Sequence, residues 1–160
     1  MSEGDDMETV NNEVVAEVGR TLVGALAPHQ LPLFVPISKA FFKDPKGALA
    51  QGRARDDIMG FGAAEAELLI PVVLSALTQV GLFLAREVGK RLAVTTASMI
   101  EEQVKRLLRG EPGAITLQPA QRAAVRRIAF EVGRQFRLSN ARATQLADAL
   151  VDQLGIGSAP

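Results

Sequence analysis

The sequence predicts an all-α protein with an N-terminal helical unit, a long central apolar helix and a C-terminal helical hairpin. Three observations predict it. Apolar residues recur at three- and four-residue steps through most of the chain, the signature of helices with one buried face. Aromatic residues are scarce, with seven Phe and no Trp or Tyr, so a core must be built from Leu, Val, Ile and Ala, which suits close helix packing. No segment shows the strict apolar–polar alternation of a half-buried strand. At 160 residues, 48% hydrophobic and 22% charged, the chain has the composition of a folded protein and the length of one compact domain, or of two small helical units sharing a long element. Three regions follow: residues 1–57, a helical unit with a proline-rich corner and linker; 58–110, the central helix; and 111–160, a basic hairpin.

The first helix is expected over about Asp6 to Ala27, where Met7, Val10, Val14, Val18, Leu22, Ala25 and Leu26 keep helical spacing. Pro28 ends it, because proline lacks the amide proton that would continue the ladder. Four prolines between Pro28 and Pro45 break up the following segment, although Pro36 suits the first turn of a short helix carrying Ile37, Phe41 and Phe42. Residues 47–62 then read as a linker, with the GFG at 60–62 as a hinge.

From Ala63 to Arg109 only Pro71 interrupts helix. Glu65 and Glu67 suit the positive N-terminal end of the helix dipole, Lys105, Arg106 and Arg109 suit the opposite end, and Gly110 is an expected stop. An unbroken helix here would run roughly 70 Å at ~1.5 Å per residue. It must therefore bend at Pro71 or Gly81, or fold back near AVTTAS at 93–98.

Within it, residues 68–85 read LLIPVVLSALTQVGLFLA without a charge and are followed by Arg86, Lys90 and Arg91. Eighteen residues give about 27 Å against a hydrocarbon core of about 30 Å, and the basic flank is the usual cytoplasmic anchor. Leu68, Leu69, Ile70, Val72, Val73, Leu74, Leu77, Val80, Leu82, Phe83 and Leu84 are the candidate membrane-segment residues. Against a span stand Pro71, Gln79 and the missing belt of Trp or Tyr. Ser75, Thr78 and Gln79 share one face, which would meet another helix in a bilayer or mark the rim of a soluble core. A ridge of small residues, Gly81, Ala85, Gly89, Ala93 and Ala97, recurs every fourth position and allows another helix to approach closely.

Pro119 opens the next helix, whose apolar face is Val125, Ile128, Ala129, Val132 and Phe136. RLSN at 137–140 is a turn with Ser139 or Asn140 as N-cap. Ala143, Leu146, Ala147, Leu150, Val151 and Leu154 make the facing stripe, closed by Gly155.

Two segments and the proline-rich corner, LAPHQLPLFVPISKAFFKDP, DDIMGFG and the long apolar helix, resemble a pattern in uncharacterised small helical proteins of actinomycete type. The likeness covers about the first two thirds of the chain. It implies no activity and transfers no functional residue.

Charge is balanced overall but segregated. Residues 1–67 carry eleven acids and six bases, and residues 86–142 carry twelve bases and five acids. Such asymmetry points to a membrane surface, to nucleic acid, or to attraction between two parts of the chain. Arg122, Arg126, Arg127, Arg134 and Arg137 form a basic face on the hairpin, with an Arg127–Glu131 pair expected on a solvated helix. Nucleic-acid binding is disfavoured, because the second hairpin helix carries one Arg and two Asp where a recognition helix needs donors.

The residues for catalysis are sparse. There is no Cys and one His, which excludes disulfides, thiolate chemistry and the paired histidines of zinc or di-iron sites. His29, in a turn, reads as a surface residue. Asp56–Asp57 and Glu101–Glu102 are sequence neighbours that point apart on a helix and read as solvated. GFG lacks the Lys and Ser/Thr of a phosphate loop. No cofactor is expected, and the chain reads as non-enzymatic. The acidic start MSEGDDMETV is unlike a secretory or transit peptide, so the expectation is cytoplasmic synthesis without secretion. The leading function is a membrane-associating or membrane-inserting helical protein, in contact with lipid and with copies of itself. The alternative is a soluble scaffold or adaptor that self-associates through the central helix, with a protein partner at the N-terminal unit.

Overall fold

The computed structural model describes residues 2–44, 68–91 and 96–155, with side chains of the first helix from Asn12 onward. Among the described residues six α-helices follow in order: α1 (Ser2–Leu26), α2 (Phe34–Lys43), α3 (Leu69–Arg91), α4 (Ala97–Arg109), α5 (Pro119–Gln135) and α6 (Asn140–Gly155). A 3-10 turn, Pro28–Leu33, joins α1 to α2. The fold is all-α, and no strand occurs among the described residues.

α3 is the central element, touched by α1, α2, α4 and α5. Its residues Ile70, Val73, Leu74, Ala76, Leu77, Val80 and Leu84 are each fully buried. α1 lies against α3 and buries Val14, Val18 and Leu22 and also Val15 and Val23. This face is wider than one stripe because α1 packs on both α3 and α4. Ala25, expected in the stripe, is exposed, while Met7 and Val10 lie outside the described side chains. Gly19 lets the two helices approach closely: a Cβ there would come within 2.9 Å of Leu74 Cδ2.

Proline ends α1 as expected, with Pro28 at the first position of the 3-10 turn. Pro36 stands in the first turn of α2, whose Phe34 and Phe41 are buried and whose Phe41 and Phe42 rings meet edge to face at 5.4 Å. The linker, the GFG hinge, Asp56–Asp57, Glu65 and Glu67 lie outside the described residues.

Region 58–110 is not one helix. α3 ends at Arg91, and α4 begins at Ala97 with Thr96 as N-cap, its side chain accepting the Met99 amide at 3.2 Å. The chain thus reverses direction between Arg91 and Ala97. Gly81 lies opposite Leu108 and Gly89 opposite Ile100, a Cβ at each glycine coming within 3.9 and 3.6 Å, so α3 and α4 are antiparallel. The small-residue ridge is therefore interrupted. Gly81, Ala85 and Gly89 belong to α3, Ala93 is outside the described residues, and Ala97 is an exposed residue of α4. A short side chain does not fix a helix boundary; the Thr96 cap fixes where α4 starts.

Gly110 closes α4 in the left-handed conformation, φ 68°, its amide donating to Arg106 and Leu107 carbonyls, the expected glycine stop. The loop to α5 is tied down by Arg91, which donates to Thr116 O at 2.8 Å, and by Gln103, which accepts the Ile115 amide at 3.3 Å. Gln118 and Gln121 form a reciprocal capping box ahead of α5.

Candidate interaction surface

The basic face is built on α5 and on the turn that follows it. α5 and α6 run antiparallel and touch closely where their side chains are small. A Cβ at Gly133 would meet Ala143 Cβ at 3.1 Å. Ser139 caps α6, its hydroxyl oxygen accepting the Arg142 amide at 3.1 Å. Arg137 takes φ 67° in the turn, and Arg134 donates to the Leu138 carbonyl at 2.6 Å. The hairpin seam contains Val125, Ala129, Val132, Ala143, Leu146, Ala147, Leu150 and Leu154, all buried, as the two stripes predict; Ile128, Phe136 and Val151 are partly exposed.

The five arginines of the face do different things. Arg126 forms an ion pair with Asp148 across the seam. Arg134 holds the hairpin turn, and Arg122 borders a narrow gap between Leu117, Val125, Val151 and Leu154. Arg137 contributes its backbone conformation. The Arg127 guanidinium is exposed and makes no hydrogen bond or ion pair among the described residues; the expected Arg127–Glu131 pair is not formed.

Beside Arg126 and Arg127 the seam opens into a hollow of about 340 Å3 lined by Ala123, Arg126, Arg127, Phe130, Thr144 and Ala147. It exists because α6 presents Thr144 and Ala147 where a larger side chain would fill the space beside Phe130. A second hollow, of about 290 Å3, lies along α4 at Ser98, Met99, Glu102 and Gln103. Sequence reasoning placed Ala147 in the apolar stripe but missed Phe130 and Thr144 as surface-forming. No local signal marks them, because Phe130 comes beside Thr144 and Ala147 only once the two helices pack.

Acidic and basic halves of the chain do meet. Arg109 at the end of α4 grips Glu17 of α1 with two hydrogen bonds, 3.0 and 3.1 Å. The hydrogen bond to Glu17 holds the Arg109 guanidinium above its ordinary value. Glu87 accepts from Gln121 at 3.1 Å and from Lys90 at 3.2 Å. Those two bonds, the Gln121 bond foremost, hold the Glu87 carboxyl below the usual range. His29 is exposed, Glu101 is partly so, and Glu102 pairs with Arg106 in solvent.

The candidate membrane-segment residues divide sharply. Leu69, Ile70, Val72, Val73, Leu74, Leu77, Val80 and Leu84 are buried inside the bundle, Leu68 and Phe83 are partly buried, and Leu82 is 60% exposed. α3 is nevertheless long and apolar enough to cross a membrane, and 67% of its most apolar stretch is buried within the bundle. On the polar side, Ser75 is buried, Thr78 donates to the Leu74 carbonyl at 2.8 Å and Gln79 is exposed, the gradient of a core rim. Among the described residues no group of three or more His, Asp or Glu is placed to hold a metal ion.

Comparison with protein families, curated proteins and solved structures finds no match to this chain.

Proposed function

We propose that this chain is a soluble, non-enzymatic helical scaffold or adaptor, with α3 as its core and its outer helix faces as contact surfaces. The observation that carries this reading is the enclosure of α3. Seven of its apolar side chains have no exposed surface, while the helices around it turn charges outward, among them Glu13, Glu17, Arg20, Lys39, Arg126 and Arg127. Burying a Leu, Val or Ile side chain away from water is worth about 1.5–3 kcal/mol. Lipid would compensate α3 itself, but its withdrawal would return to water the apolar faces of α1, α2, α4 and α5 that pack on it. Burial within one copy also removes the need for self-association through the central helix. Contacts between copies, or with a partner, then fall to the outer faces.

A second reading is favoured by one observation, the length and apolarity of α3. At 23 residues and ~1.5 Å per residue it reaches about 34 Å, enough for a bilayer core of about 30 Å. Vesicle flotation separates the two. Purified protein that stays monodisperse in gel filtration and does not float with neutral or anionic vesicles supports the scaffold. A carbonate-resistant membrane fraction overturns it in favour of insertion.

A further inference from the structure

The hollow on the α5–α6 seam combines an apolar floor with a cationic rim. Ala147 is almost fully buried at its base and Phe130 forms a wall. Along α5, Ala123, Arg127, Phe130 and Arg134 follow one another at four-, three- and four-residue steps, so they share one outer stripe. Arg126 is already committed to Asp148, but Arg127 offers its charge to solvent. Residues 119–155 carry six arginines against Glu131, Asp148 and Asp152.

We propose that this hollow docks an acidic amphipathic helix of a partner protein, a surface that rests on the scaffold reading above. A bulky apolar side chain of the partner seats beside Phe130 over Ala147. Carboxylates about one turn to either side meet Arg127 and the guanidinium donors of Arg134 that its bond to the Leu138 carbonyl leaves over. Helix-in-groove recognition needs this arrangement, an apolar recess for an anchor and charges spaced along the groove. A bilayer is matched less well, because the apolar surface is recessed between two helices and does not project toward lipid. Charge selects the partner: a basic helix would bring its cations onto Arg127, and like charges in contact are repelled.

The chain has no Trp or Tyr, so a probe carrying one Trp can be followed without background. The probe is an 18-residue helical peptide of Leu, Ala and Glu with Trp at the centre of its apolar face. Its control has every Glu replaced by Lys. With the full chain, the acidic peptide should shift its emission to the blue and the Lys peptide should not. Binding should weaken at least about tenfold between low and high salt, as rim charges dictate. Arg127→Glu reverses the free charge and Thr144→Phe fills the hollow; both residues are exposed, so both variants should melt like the wild type. Each should weaken the acidic peptide about tenfold or more. Absence of a blue shift, equal response to both peptides, or unaltered binding by the two folded variants would overturn the proposal. So would loss of phosphatidylglycerol-vesicle binding in Arg127→Glu with the peptide unaffected, which would assign the face to a membrane. Failure here leaves the protein soluble and monodisperse, whereas failure of the scaffold reading shows in flotation of the wild type.

Discussion

The side-chain oxygen of Gln30, buried in the 3-10 turn, accepts the backbone amide of Leu69 at 2.9 Å. It joins the corner after α1 to the first residue of α3, 39 positions later. The first amides of a helix have no partner in their own helix, and Leu69 is too deeply buried for water to serve. Gln30 thus acts as an N-cap from a distance.

Gln30→Leu should remove that acceptor and leave a buried amide unsatisfied, costing about 1–3 kcal/mol. Urea unfolding followed by circular dichroism measures it. A midpoint equal to the wild type would mean that the Leu69 amide finds another acceptor.

Leu77→Arg tests the enclosure of α3. Leu77 has no exposed surface, and an unpaired charge at such a site costs several kcal/mol. The variant should aggregate or lose helix content. Recovery as folded protein that has left a membrane fraction would instead support the inserted reading.

Glycine positions should respond according to what faces them. Gly133→Leu forces a side chain against Ala143, and Gly89→Leu forces one against Ile100; overpacking of this kind costs about 1–3 kcal/mol. Gly155, with nothing within 4 Å of an added Cβ, should accept Ala without loss. Thermal melts of the three variants check the ranking.

Acid should weaken the contact between α3 and α5. The Glu87 carboxyl is held below its ordinary value by Gln121 and then by Lys90, so its stabilisation is present above the unfolded-state value. That stabilisation is lost as pH falls through the lower folded value. Glu87→Gln should therefore melt lower than the wild type at neutral pH, and the two should converge at the acid end. A constant gap across the range would show that the Glu87 charge is not linked to folding.

The helix ends were the most legible part of the sequence, because their causes are local. Pro28, Gly110, Pro119 and Ser139 each act within a few residues of themselves. The break between α3 and α4 was readable only as one option among three, since no proline or glycine marks it and Thr96 becomes a cap only once the chain turns. The Gln30 bond and the seam hollow were not readable. Each depends on two segments meeting, and neither Gln30 nor Thr144 carries a local pattern that names its neighbour. The broad core face of α1 was half legible for the same reason: Val14 and Val18 follow the expected stripe, while Val15 and Val23 are also buried because α1 packs on two helices.

The place of α3 in the chain has a consequence for biosynthesis. Its most apolar face is covered in part by α4 and α5, which are translated after it. At about 5–20 residues per second, the ribosome needs several seconds after Arg91 before α5 is complete. During that interval the nascent chain displays a segment that resembles a membrane span to any factor reading hydrophobicity at the exit tunnel. The order of synthesis thus leaves the central helix without part of its cover until the C-terminal helices that pack on it have been made.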